Sequence, residues 1–263
     1  MFTRRQTLGI LTATGALLGC ATPQAQPKTY VLIHGGWHGR WAWEKVQPLL
    51  EKSGVRVFAP TLKGLAEREN ENGPGVTLTV HIEEVVDLLE SHQLRNVILV
   101  GHSYAGFVIT GVCDRIPERI GHVVYLDAFV PENGQNLYDF IQPASRAQQM
   151  RKEVLEKGEG YKSFPPPAAS WGLTGDLLNE VTQKMTPHPA KTYEERLELR
   201  RGGPYAVGKR TYIDCQMPAM PPFVAIKSRL RLDSRWRVLT LPAGHEVMLS
   251  HPELLVPVLA DLA

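Results

Sequence analysis

The sequence predicts one α/β domain, a mainly parallel sheet with helices on both faces and a helical cap inserted late in the strand order. Three observations carry this reading. Uncharged apolar runs of strand length alternate with amphipathic segments of helix length, the arrangement of a parallel sheet covered on both sides. One interval, about 131–208, breaks the alternation with helix-like pieces only. Between the two lies Gly101-His102-Ser103-Tyr104-Ala105-Gly106, which turns an apolar run into a helix-like segment through small residues.

In chain order, 29–33 is a buried-strand run that stops at His34-Gly35-Gly36. Residues 41–53 have helical spacing, 55–59 form the next strand before Pro60, and 65–75 read as polar loop. Residues 80–92 form an amphipathic helix with Ile82, Val85, Val86 and Leu89 on one face. Strand 97–100, a helix over 107–113 and strand 122–127 follow, and after the interruption come strand 209–215, helix 223–232, strand 236–241 and helix 253–262. Within the interruption, 137–156, 177–185 and 193–201 read as helices and no segment reads as a strand. An insertion of this kind is expected to cap the carboxyl edge of the sheet, where open α/β sheets bind ligands.

The first 19 residues are expected to be an export signal rather than part of the fold. Arg4-Arg5 precedes an apolar stretch over 8–18 that is too short to span a bilayer. The stretch ends Leu17-Leu18-Gly19-Cys20, which resembles a bacterial lipoprotein signal with Cys20 as the lipidated residue, and the Arg pair also resembles a twin-arginine signal. Residues 20–28 read as a tether and 29–263 as the domain. The expected location is therefore outside the cytoplasm, on a membrane facing the periplasm or the exterior, with contact to lipid only through Cys20. The 263 residues are 43% hydrophobic with a formal net charge of +2. That supports a sizeable core and gives no reason to expect nucleic acid as a partner. Cys113 and Cys215 read as two buried free thiols.

A G-x-S-x-G-like turn between strand and helix is a context that exposes a serine hydroxyl as a nucleophile. Ala105 stands where the pattern has its second glycine. Ser103 then needs a base. Of nine histidines, His245 alone follows a late strand and a Pro242-Ala243-Gly244 turn just before the last helix. An oxyanion hole is expected from the backbone amides of Gly36 and Tyr104. The carboxylate that orients the imidazole is expected at a strand end, where Asp127 is preferred and Asp214 is the alternative.

These residues resemble the α/β-hydrolase superfamily, and within it the small serine esterases related to plant methyl esterases and hydroxynitrile lyases. The resemblance rests on the segments beginning His34-Gly35-Gly36-Trp37, Gly101-His102-Ser103, Tyr125-Leu126-Asp127 and Gly244-His245. It implies an ester hydrolase that works through an acyl-enzyme on Ser103, with no metal or organic cofactor. In that group the acid usually follows the strand ending at Cys215, and the matching position here is Pro218, which cannot serve. The lyases use a threonine where this chain has Gly35 and a lysine where it has Glu246. Hydrolysis of a small, mostly hydrophobic ester is therefore expected ahead of a lyase or of a non-catalytic binding protein on the same fold. Trp37, Phe129 and Met248 are the expected substrate contacts, with Trp41, Tyr138 and Trp171 as further aromatic candidates.

Overall fold

A computed structural model describes residues 28–262; the signal, Cys20 and most of the tether lie outside the described residues. The strands are β1 (Thr29–Ile33), β2 (Arg56–Phe58), β3 (Val97–His102), β4 (Ile120–Leu126), β5 (Lys162–Ser163), β6 (His188–Pro189), β7 (Arg210–Cys215) and β8 (Arg237–Leu241). The α-helices are α1 (Gln47–Glu51), α2 (Leu78–Ser91), α3 (Ala105–Arg115), α4 (Ala144–Lys157), α5 (Gly175–Lys184), α6 (Lys191–Glu194), α7 (Pro221–Arg231), α8 (Val247–Ser250) and α9 (Pro252–Asp261). Six strands form one parallel sheet in the order β2-β1-β3-β4-β7-β8. The predicted α/β class is what the chain adopts.

Strand periodicity sorts the core into two layers. Val31, Ile33, Leu99, Val123, Tyr125 and Tyr212 pack with α2, α3 and α7 on one face. Tyr30, Leu32, Ile98, Val100, Val124 and Ile213 pack with α1, α8 and α9 on the other. Both faces are buried, so these strands read as continuous apolar runs instead of alternating ones.

The interval between β4 and β7 departs from expectation in three places. It contains a two-residue antiparallel pair, β5 with β6, where no strand was expected. The helix expected over 137–156 is split into a 3-10 turn, Leu137–Phe140, and α4. Pro143 lacks an N–H and its ring would clash with the preceding turn, which disfavours a continuous helix there, and α4 begins directly after it. The helix expected over 193–201 stops at Glu194. Beyond it the chain is drawn into tertiary bonds: Glu195 accepts from the backbone and hydroxyl of Thr79, and Asp114 accepts the amides of Arg200, Arg201 and Gly203. Residues 41–53 likewise form a 3-10 turn, Arg40–Trp43, and the short α1 rather than one helix. Cys113 and Cys215 are buried and free.

Candidate active site

Ser103 sits between β3 and α3 with φ of 53°. A side chain in the left-handed region is strained and needs surrounding structure to hold it there. The Ser103 N–H donates to the Leu126 carbonyl at 3.3 Å, and the Ser103 carbonyl accepts from Gly106 at 3.1 Å and Phe129 at 3.2 Å. The small residues around it are required by contact. A Cβ on Gly101 would lie 2.7 Å from Ile109 Cδ1, and one on Gly106 would lie 1.9 Å from the Phe129 carbonyl oxygen. Ala105 is fully buried, so a methyl group does fit at that position. Trp37 and Asp127, at turns after β1 and β4, also have positive φ, 64° and 40°. Backbone strain thus gathers at three adjacent strand ends on one edge of the sheet.

His245 follows β8, and its Nδ1–H donates to Asp127 Oδ2 at 2.7 Å. Asp127 is wholly buried, and its other oxygen accepts the Cys215 amide at 3.4 Å. Asp214 points elsewhere. It accepts from Lys227 at 2.7 Å and Arg231 at 2.8 Å, both on α7, and from Gln216 at 2.9 Å. Asp214 is still within β7, paired with Thr240 of β8, and is held under α7 by these cations instead of reaching the loop that carries His245. With Nδ1 engaged by a carboxylate, Nε2 of His245 is the nitrogen left to exchange a proton with a hydroxyl.

The histidine ring is packed as well as bonded. Phe223 stacks on it at 5.4 Å, and His102 lies 4.5 Å away. His102 Nε2–H donates to the His245 carbonyl at 3.0 Å, which ties the loop after β8 to the turn after β3. Burial, followed by the neighbouring His245, holds His102 well below the usual histidine range, so it is neutral. The other motif histidines position backbone. His34 Nε2 accepts the Leu62 amide at 3.0 Å while Nδ1–H donates to the Gly35 carbonyl at 2.8 Å, and burial pushes its pKa down to about 3. His38 Nδ1–H donates to the Gly36 carbonyl at 2.6 Å.

Glu246, the residue after His245, is buried with an oxygen 3.3 Å from His38 Nε2. Burial opposes charge on both members. The Glu246 charge overcomes it at His38, whose pKa is raised, and the His38 charge leads the interactions that hold Glu246 down at about 2. A buried carboxylate paired with His38 therefore stands beside the candidate base.

Ser103 and His245 line one cavity of about 120 Å³. Its walls are mostly apolar: Trp37, Phe129, Leu137, Ile141, Trp171 and Phe223. Residues of the 131–208 interval thus face Ser103 across the cavity. Trp37 is fixed by its indole N–H donating to the Ser163 carbonyl at 2.9 Å and by its amide donating to His188 Nδ1 at 3.3 Å. Among the described residues, the Gly36 and Tyr104 amides, nominated as an oxyanion hole, donate to no protein acceptor. Met248 does not line the cavity. It is buried with Val247 and Leu249 in the core on the α9 face of the sheet, because α8 turns it inward away from the carboxyl edge. Trp41 and Tyr138 are also packing residues, whereas Trp171 faces the cavity. Phe223 and Tyr193 line it without any sequence signal for that placement; Glu246, which also lines it, was reachable by its position next to His245.

Comparison with known proteins agrees with this architecture. A model of the alpha/beta hydrolase family matches residues 30–258. The carbendazim hydrolyzing esterase of Nocardioides sp. (strain SG-4G) is 38% identical over 240 residues, 89% of this chain and 98% of that protein. Putative methylesterase 11, chloroplastic, of Arabidopsis thaliana is 30% identical over 249 residues, 89% of this chain and 63% of that protein. An extracellular alpha/beta-hydrolase from a Paenibacillus species shares structural and functional homology with tobacco salicylic acid binding protein 2. Its solved structure matches with a TM-score of 0.78 at 25% identity, covering 89% of this chain and 98% of that one. With the family model spanning the sheet and the interval within it, this chain belongs to the alpha/beta hydrolase family, as a carboxylesterase-type enzyme.

Proposed function

We propose that the protein hydrolyses small, mostly hydrophobic carboxylic esters through an acyl-enzyme on Ser103. The observation that carries this reading is the 2.7 Å bond from His245 Nδ1 to the buried Asp127, on the wall of the cavity that holds Ser103. In the first half-reaction His245 Nε2 takes the Ser103 proton as Oγ attacks the ester carbonyl. The Gly36 and Tyr104 amides receive the oxyanion. The tetrahedral intermediate collapses, and His245 returns the proton to the departing alcohol. Water, deprotonated by the same imidazole, then releases the carboxylic acid and restores Ser103. The chemistry needs no metal or organic cofactor. The two relatives are named as an esterase and a putative methylesterase, which supports esters as the substrate class.

The lyase alternative meets two physical obstacles. A side chain at position 35 would begin 2.8 Å from His102 Nδ1, so a threonine has no room there. The position that a lysine would occupy carries the buried carboxylate of Glu246, paired with His38, so no positive charge at that position stabilises a departing anion. Hydrolysis of p-nitrophenyl butyrate tests the proposal. Wild-type turnover should fall at least about 10³-fold in Ser103→Ala, and turnover that survives this substitution sinks the mechanism.

The same reading extends to the chain ends. Residues 131–208 act as a cap over the carboxyl edge. Residues 1–19 are an export signal, with Cys20 lipid-anchored outside the cytoplasm and 20–28 as its tether. Among the described residues no helix is long and apolar enough to cross a membrane, and the Paenibacillus relative is named as extracellular. Mass spectrometry of the mature N-terminus should find a diacylated Cys20; an unmodified Met1 in membrane-free cytosol contradicts the anchor.

A further inference from the structure

Tyr193, on α6, supplies a polar group that the proposed triad and the two amides leave unused. It is fully buried and lines the cavity with Ser103. Among the described residues its hydroxyl has no hydrogen-bond partner. Its placement is defined against Gly36. A Cβ built on that glycine would stand 2.6 Å from the Tyr193 hydroxyl oxygen and 3.8 Å from Tyr104 Cβ. The hydroxyl therefore lies beside Gly36, which itself adjoins Tyr104, the two residues whose amides are the candidate oxyanion donors.

The ring cannot swing away from this position. It stacks on His188 at 4.4 Å with 12° between planes, and meets the rings of Trp37 at 5.9 Å and Tyr104 at 5.5 Å edge-on. His188 is itself held, with Nε2–H donating to Thr192 Oγ1 at 2.8 Å and Nδ1 accepting the Trp37 amide. A buried phenol without an acceptor is destabilising compared with phenylalanine. That cost is relieved when a bound molecule brings an oxygen to the site.

Resting on the ester-hydrolase reading above, we propose that Tyr193 is a third oxyanion-hole donor, contributed by the cap. Its O–H donates to the carbonyl oxygen of the bound ester, and more strongly to the alkoxide formed when Ser103 attacks. The proton stays on the phenol throughout. Burial, and then the neighbouring Tyr104 and Tyr138, push the Tyr193 pKa well above its ordinary value, so the group remains a donor at neutral and alkaline pH. The oxyanion site is then complete only when α6 is seated on the sheet edge, which couples the cap to the chemical step.

Tyr193→Phe tests this with the ring, the stack and the cavity preserved. The kcat for p-nitrophenyl butyrate should fall roughly 10- to 100-fold with KM within about threefold and no loss of thermal stability. Butyrate binding to Ser103→Ala, measured by calorimetry, supplies a readout without turnover. Adding Tyr193→Phe to that background should weaken butyrate about 5- to 10-fold. Unchanged kcat together with unchanged butyrate affinity overturns the inference. Wild-type protein without Ser103-dependent hydrolysis, but with Tyr193-dependent butyrate binding, refutes the esterase reading while supporting the hydroxyl as a ligand donor.

Discussion

Replacing Asp127 and Asp214 by asparagine, one at a time, should separate catalysis from stability. Asp127 accepts from His245 Nδ1 and, with its second oxygen, from the Cys215 amide. Asparagine preserves the shape but removes the charge that would stabilise an imidazolium, and it favours the wrong imidazole tautomer. For such a change kcat should fall about 10⁴-fold, about 5.5 kcal/mol in the barrier. Asp214 is different. Its side chain is 0% exposed, and Lys227, paired with it at 2.7 Å, is 8% exposed. Removing one member of a buried pair strands the other charge, at a cost of about 3–5 kcal/mol. Arg231, 42% exposed, adds little because solvent screens it. For a chain of this size that corresponds to a drop in Tm of roughly 6–20 °C. Initial rates on p-nitrophenyl butyrate, taken below both midpoints and compared with calorimetric melts, resolve the two effects. Asp127→Asn should lose rate with a modest change in Tm, and Asp214→Asn should lose Tm while the folded enzyme keeps its kcat. The reverse pattern, with the rate lost in Asp214→Asn and kept in Asp127→Asn, would refute the assignment of the acid.

Gly106→Ala should destabilise the protein by more than about 3 kcal/mol in denaturant unfolding, because overpacking against a fixed backbone carbonyl 1.9 Å away has no side-chain escape; a near-neutral result would mean that the turn after Ser103 yields. Stability should also fall as the pH drops below about 6.5. His81 and His34 are pushed down to about 4 and about 3, mainly by burial, so the unfolded chain binds protons at them before the folded chain does. Each contributes a loss that approaches about 1.4 kcal/mol per pH unit, about 3 kcal/mol for the two between pH 6.5 and 5 in urea titrations; a flat profile there contradicts their burial as neutral rings. His38 acts in the opposite sense. Its raised pKa means that its contribution is complete below about pH 6.5 and is lost as the pH rises through the folded value, and His38→Gln should abolish that alkaline decline.

Much of the sheet was legible because both of its faces are covered. The runs ending at Ile33, Val100 and Leu126 are uncharged and, apart from Thr29 and His122 at their starts, apolar throughout, so they identify strands without any alternation to interpret. The interval before β7 was less legible. Residues 193–201 carry helical spacing, but Thr79 and Asp114, distant in sequence, capture the segment in bonds that compete with a helix. Met248 shows the same limit at the site. Three residues past His245 is close in sequence, yet the turn of α8 places that side chain in the core. Tyr193 was invisible as a site residue because nothing in a short helix marks which side chain will reach Gly36.

By itself the sequence determined the α/β class, the strand-to-helix turn around Ser103, and His245 as the histidine after the last strand. All three rest on local pattern: apolar periodicity, small residues where bulk would collide, and order along the chain. Only the tertiary structure decided between Asp127 and Asp214. Both lie near the ends of neighbouring strands, and chain order permits either. The choice follows from where each carboxylate sits relative to its strand: Asp127 lies past the end of β4 in a turn with φ of 40°, whereas Asp214 is still inside β7, paired with Thr240 of β8. Asp127 emerges at the edge beside His245, while Asp214 emerges beneath α7 against Lys227. The contact between Asp127 and His245 joins residues 118 positions apart, so the sequence could rank Asp127 ahead of Asp214 but only the assembled sheet brings one of them to the proposed base.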